Sequence, residues 1–216
     1  AYEINYRDWS SDVYSSDLDR VGADVENVRQ AMGMDSRIGS KFLYAGCGYG
    51  GSCFPKDVRA LRDFARSAGY EPLLLTAVDE VNERQKGMLF EKLAGRLGGL
   101  SGCTIAVWGL SFKPKTSDTR EAPAQVLIRS LLDAGARVQA HDPRAIEETR
   151  EALGDRQGLV YVHEPYDAVN GADALVVVTE WDIYRQPDFN RIKHLLRQPI
   201  VVDNYQIGRA SCRERV

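Results

Sequence analysis

From about Asp19 to Gly99 the apolar positions recur at a helical period. Val21, Val25, Val28 and Met32 share one stripe in VGADVENVRQAMGM, and Val58, Leu61, Phe64 and Ala65 share another in VRALRDFARSAG. Pro55 suits the first turn of this second helix and Gly69 closes it. The run LLLTAVDEVNERQKGMLFEKLAGRLGG reads as one further long helix. Gly98-Gly99 and Ser101-Gly102 then punctuate the chain, and the period changes. CTIAVWG predicts a buried strand, APAQVLIRSLLDAG a helix with Pro123 near its start and Gly135 at its end, and ARVQAHDP a second strand. ADALVVVTEWD and QPIVVDN add two apolar strands, with RIKHLL as a helix between them. Strands alternating with helices imply a parallel, doubly wound sheet, so the expected fold is α/β: a helical domain over residues 19–99, then a sheet domain over 100–206. There are no internal repeats and no low-complexity tract.

A chain of 216 residues with 44% hydrophobic content has enough apolar material for one large or two modest domains. The formal charge of −3 argues against nucleic acid as a partner, because a phosphodiester-binding domain carries a basic face. No segment approaches the continuous apolar length of a membrane span, and no signal peptide is evident. Cysteines at 47, 53, 103 and 212 do not make a dense secreted framework, which agrees with a reducing, cytoplasmic setting.

The candidate chemistry lies in GCGYGGSCFPKD, residues 46–57. The separation of Cys47 and Cys53 matches neither a zinc clip nor a C-x-x-C redox pair, so no metal is expected. Pro55 and the helix after it put Cys53 at a helix N-terminus, where the dipole and unpaired N–H groups favour thiolate, and Lys56 adds positive charge. The residues alone leave two readings of Cys53, a reactive thiol and a buried structural one. In the sheet domain, Gly109-Leu110-Ser111-Phe112-Lys113-Pro114-Lys115 follows the first strand, at the end where open α/β sheets bind ligands. It is not a G-x-G-x-x-G turn. Asp118 and Glu121 have the spacing of an N-terminal capping box for the next helix.

GYGGSCFPKD, preceded by MGMDSRIGSKFL and followed by WGLSFKPKTSDTREAP, resembles the nucleotide-sugar dehydrogenases, and among them the UDP-glucose 6-dehydrogenase branch. The resemblance runs from about Asp19 to Asp203. It implies a helical central, dimer-forming domain, a Rossmann-like domain that binds the UDP-sugar, NAD as cofactor, and a homodimer in the full-length protein. The implied reaction is a twofold oxidation of UDP-glucose, or a related nucleotide sugar, to the uronate through a thiohemiacetal and a thioester. Cys53 is then the nucleophile, and Asp57, one helical turn on, handles the hydrolytic water. Phe42, Leu43 and Tyr44 are expected in the substrate loop, Tyr49 and Gly50 lining the sugar side, and Phe112 and Lys113 at the nucleotide sugar. Arg37 is expected to reach into the partner's site. Lys56 and Arg120 are expected at the cofactor, where a guanidinium suits pyrophosphate. A GDP-mannose 6-dehydrogenase, or a non-catalytic nucleotide-sugar-binding and dimerisation module, are the alternatives.

Several features depart from the family pattern. The family's N-terminal NAD-binding domain has no counterpart in the chain, which is therefore expected not to turn over as it stands. Gly46-Cys47-Gly48 replaces the usual Gly-Pro-Gly, and Tyr205 stands where an arginine is expected. AYEINYRDWSSDVYSSDL and IGRASCRERV resemble translated sequencing-adapter read-through. Residues 1–18 and 207–216 are therefore expected to be foreign to the gene and to add nothing to a packed core, and Cys212 is given no role.

Overall fold

A computed structural model describes residues 18, 21–39, 43 and 45–203. The expectations for the two ends, and those for Phe42, Tyr44 and Tyr205, fall outside these residues. The chain divides into two compact units: residues 1–49 with 53–86, and residues 50–52 with 87–216.

The first unit is helical. It holds α1 (Val25–Gly33), α2 (Phe54–Ser67) and the first part of α3 (Leu73–Leu97). All three lie where the apolar period put them. The stripe of α2 is nevertheless not buried: Leu61 is 55% exposed and Phe64 70%. Helix formation there follows from periodicity, with Pro55 buried in the first turn, while ion pairs stitch the polar side of the helix. Arg62 Nη1 lies 2.6 Å from Asp79 Oδ2, and Arg66 Nη2 3.1 Å from Glu71 Oε1.

The second unit is a five-stranded, wholly parallel sheet of order β3-β2-β1-β4-β5, as the alternation of strands and helices implied. The strands are β1 (Thr104–Trp108), β2 (Arg137–His141), β3 (Leu159–Tyr161), β4 (Ala174–Val177) and β5 (Ile200–Asp203). The connecting helices are α4 (Pro123–Asp133), α5 (Ile146–Leu153), α6 (Pro165–Val169) and α7 (Phe189–Leu195). Every residue of β1 and β4 is buried, as continuous apolar runs in a two-sided sheet must be. Trp108 anchors one face. Its ring stacks on Tyr184 at 4.9 Å, meets the edge of Tyr166, and donates its indole N–H to Pro165 O at 2.7 Å. Trp108 is in register with His141 of β2 and Val177 of β4, so the carboxyl ends of the three central strands finish level. The strand order reverses at β1, where a doubly wound sheet forms its ligand crevice.

One local expectation is corrected. Asp118 and Glu121 do not form a capping box on α4, whose N-cap is Ala122 in extended conformation with no side-chain bond. Pro123 begins the helix and removes one of the donors that a cap would satisfy. Glu121 adopts a positive φ of 55°, and the Asp118 carboxylate turns to Arg120 instead. Between Asp142 and Gly171 the sequence pattern named no element, yet α5, β3 and α6 lie there. β3 is too short to display alternation. The inward stripe of α5 runs through Thr149, which escapes an apolar count because its hydroxyl is spent on Ala145 O at 2.6 Å.

Candidate functional site: a thiol at a helix N-terminus and a clamped loop

In the first unit Cys53 is the N-cap of α2 and its side chain is exposed. Asp57 N donates to Cys53 O at 2.8 Å, which sets Asp57 one turn further along the same side of the helix. Lys56 Nζ and the Asp57 carboxylate form an exposed ion pair. Asp57, by its hydrogen bond and its charge, holds the Lys56 ammonium above its ordinary range, and the Cys53 sulfur adds to this. Cys47 is fully buried, so the two neighbouring cysteines occupy opposite environments. Leu43 and Tyr49 are buried, and the Tyr49 ring meets the Phe54 ring edge-on at 4.9 Å. Arg37 is exposed and reaches its own neighbour, with Nη2 2.6 Å from Asp35 Oδ2.

In the second unit the tripeptide Gly50–Ser52 is seated on the loop that follows β1. Gly51 N donates to Arg120 O at 2.7 Å. Its φ is +92°, and a Cβ there would stand 2.8 Å from the Phe112 ring, so only glycine lets that ring lie on the main chain. Gly50 comes equally close to Glu121, whose carbonyl oxygen would be 2.4 Å from an added Cβ. Lys113 Nζ lies 5.3 Å from the centroid of Phe112. Arg120 forks onto Asp118, with Nε 2.9 Å from Oδ1 and Nη2 2.7 Å from Oδ2, and this hydrogen bonding holds the Asp118 carboxyl below its usual range. Gly50, Phe112, Lys113 and Arg120 thus come together, although they lie as much as 70 positions apart.

The sequence pattern missed what roots this loop. Asp142, at the end of β2 and buried, gathers six donors. Its Oδ2 accepts from Leu110 N (2.7 Å), Ser111 N (3.1 Å), Ser111 Oγ (3.2 Å) and Trp181 Nε1 (3.0 Å), and its Oδ1 from Arg144 N (2.8 Å) and Ala145 N (2.9 Å). Thr179 Oγ1 adds a bond to Ser111 O at 2.6 Å. Beside it His141 is buried between Tyr184 OH, 2.7 Å from Nδ1, and His163 O, 3.1 Å from Nε2. Burial depresses the His141 pKa below 6.5 and raises that of Tyr184. The only signal in the sequence was an acid directly after a strand.

These residues decide how the sheet could treat a dinucleotide. In a dinucleotide-binding sheet the acid after the second strand takes the ribose hydroxyls and a glycine turn admits the pyrophosphate. Here both oxygens of Asp142 are occupied by protein donors, and Thr179 fills the space at Gly109, 2.5 Å from where a Cβ would stand. The sheet therefore does not fit NAD as its resident ligand. Among the described residues no group of three His, Cys, Asp or Glu side chains could hold a metal ion, and no helix is long and apolar enough to cross a membrane.

Comparison with known proteins agrees with both units. Residues 15–84 match the family model described as UDP-glucose/GDP-mannose dehydrogenase family, central domain, and residues 106–209 match its UDP binding domain. The chain is 54% identical over 188 residues to a UDP-glucose 6-dehydrogenase of Pseudomonas aeruginosa, a match covering 84% of this chain and 41% of that protein. It is 46% identical to one from Bacillus subtilis, covering 86% and 40%. Among solved structures it is similar to a UDP-glucose dehydrogenase from Pyrobaculum islandicum, with a TM-score of 0.84 at 38% identity over 94% of this chain and 45% of that one. The chain thus spans about two fifths of the length of the curated relatives it matches.

Proposed function

We propose, since this chain belongs to the UDP-glucose/GDP-mannose dehydrogenase family, that it supplies the thiol and the nucleotide-sugar-binding loop of an NAD-dependent UDP-glucose 6-dehydrogenase. The observation that carries this reading is Cys53 exposed as the N-cap of α2, with Asp57 one turn further along the helix. In this reading the Cys53 sulfur adds to the C6 aldehyde carbon of the oxidised sugar, and the former carbonyl oxygen takes a proton. Helix N-terminal amides suit that step because they stabilise negative charge. Once the adduct has been oxidised to a thioester, Asp57 takes a proton from the attacking water, and the carbon–sulfur bond breaks to return the thiol. NAD would supply the oxidant, and Arg120 and Lys56 are the residues of this chain assigned to it, each now paired with a carboxylate, Asp118 and Asp57.

The substrate is assigned to the Gly109–Lys115 loop: Phe112 packs beside the nucleotide sugar and Lys113 donates to a hydroxyl or phosphate oxygen. Leu43 is assigned to the substrate loop, and Tyr49 and Gly50 to the sugar side. The exposed Leu61, Phe64, Leu73 and Leu74 support a homodimer formed through the first unit, with Arg37 reaching the partner's site. Cys47, Cys53 and Cys103 form no disulfide, which suits the cytoplasm.

Titration calorimetry with UDP-glucose tests the assignment. For part of a site, a dissociation constant of roughly high micromolar to millimolar is expected. Lys113→Ala should weaken it about tenfold, the loss of one charge-assisted bond. Equal binding of GDP-mannose would remove the UDP-glucose assignment, and undiminished binding by the variant would remove the loop from the substrate.

A further inference from the structure

Helix α3 carries three polar side chains almost wholly withdrawn from water: Asn82 and Gln85 are each 4% exposed and Lys86 1%. Burying an amide without partners costs about 1–3 kcal/mol, so such a row on one helix calls for a reason. Both amides are turned onto the backbone of residues 46–49, a segment outside any helix or strand. Asn82 Oδ1 accepts from Tyr49 N at 2.7 Å while its Nδ2 donates to Tyr49 O at 3.3 Å, the pairing that a neighbouring strand would make. Gln85 Nε2 donates to Gly46 O at 3.1 Å. Gly48, between them, has no room for a side chain: a Cβ would stand 2.9 Å from Asn82 Oδ1 and 3.1 Å from Lys86 Cγ. Lys86 runs beneath it and places Nζ 2.8 Å from Glu83 Oε1.

The docked residue Tyr49 is also the one whose ring meets Phe54, the first residue of α2 and the neighbour of Cys53. Backbone and ring of Tyr49 are thereby held from two directions. We propose that Asn82 and Gln85 are positioning residues for the Cys53 thiol: by fixing Gly46 and Tyr49 on α3 they set the direction in which the chain enters α2, and so hold Cys53 at the N-cap. The proposal rests on the reading of Cys53 as the nucleophile, but its test uses only the thiol's own chemistry.

The second-order rate of alkylation of Cys53 by iodoacetamide at pH 7 is measured by mass spectrometry, with Cys103 as internal reference and circular dichroism as a check on folding. Asn82→Ala is expected to slow Cys53 about tenfold, since a displaced sulfur leaves the N-terminus of α2, whose dipole favours negative charge, while remaining exposed. Cys103 should be unaffected. Asn82→Asp keeps the acceptor for Tyr49 N–H but turns a second oxygen onto Tyr49 O, and should recover only part of the rate. Gln139→Ala removes a comparable amide in the second unit, whose Nε2 donates to Ala168 O at 2.9 Å and Asn170 O at 3.2 Å, and should leave Cys53 unchanged. Should Asn82→Ala fail to fold, Gln85→Ala is read by the same criteria. A folded variant whose Cys53 rate stays within twofold of the original overturns the proposal, as does parallel change at Cys103 or a Gln139→Ala effect of the same size. UDP-glucose titration of the same samples separates the two readings. A slowed thiol in a chain that binds no UDP-glucose keeps the positioning role and removes the substrate assignment, whereas binding with an unchanged thiol does the reverse.

Discussion

Asp142→Asn should loosen the Gly109–Lys115 loop without changing the shape of any side chain. The carboxylate accepts six hydrogen bonds, four on Oδ2 and two on Oδ1. An asparagine can present its oxygen to only one group. The favoured orientation keeps the carbonyl towards Leu110, Ser111 and Trp181 and turns the NH2 towards Arg144 N and Ala145 N, which lie 2.8 and 2.9 Å from the present oxygen. Two donors then face a donor. With a buried bond to a charged group worth about 1.5–3 kcal/mol, the loss of two comes to roughly 3 kcal/mol or more. For a domain of this size that is a fall in Tm of about 6–12 °C. Thermal unfolding followed by tryptophan fluorescence reads it well, because Trp108 and Trp181 both sit in the affected unit. Because Leu110 and Ser111 root the Gly109–Lys115 loop, UDP-glucose affinity should fall as well, even well below the Tm. A Tm within about 2 °C of the original together with unchanged affinity would show that the six donors find water instead, and that Asp142 does not clamp the loop.

Gly51→Ala forces a side chain into a positive φ and against the Phe112 ring, and should cost about 1–3 kcal/mol in urea unfolding; a change below about 0.5 kcal/mol would mean that the ring moves aside freely. Burial depresses the His141 pKa, so below about pH 6.5 the unfolded chain takes up a proton that the folded chain refuses. Stability should therefore fall as pH drops through the window between 6.5 and the folded value, and His141→Asn should flatten that slope; an unaltered slope would assign it to other groups. On the proposed homodimer, Leu61→Glu with Phe64→Glu should leave a monomer in sedimentation without loss of helix; a dimer that persists would direct the interface elsewhere, and a monomer before substitution would remove the proposal.

The parts of this molecule that were legible in its sequence are those whose physics is local. β1 and β4 read as strands because a two-sided sheet demands uninterrupted apolar runs, and the start of α2 was marked by Pro55. The N-cap position of Cys53 followed from the same proline. What stayed hidden depends on partners far along the chain. The burial of an α2 stripe cannot be inferred from its period, since period shows that one face is apolar and not what covers it; Leu61 and Phe64 are open to solvent. Asp118 and Glu121 had the spacing of a cap, but the bidentate geometry of Arg120 claimed the first and a left-handed backbone removed the second.

The same division runs through the candidate site. The features that favour a reactive sulfur at Cys53 lie within a few residues of it, so they are written in one short motif. The features that aim the sulfur and hold the loop are pairings across 33 and 39 positions in the case of Asn82 and Gln85, and across 31 to 39 positions in the case of Asp142 with Ser111, Leu110 and Trp181. In all but the Trp181 bond, which comes from an indole N–H, a buried polar side chain satisfies main-chain groups of an irregular segment. Such segments have no ladder of their own, so a single amide or carboxylate decides their path. It follows that substitutions at Asn82, Gln85 and Asp142 should alter thiol rate and loop binding as strongly as many changes inside GYGGSCFPKD, although none of the three belongs to that motif.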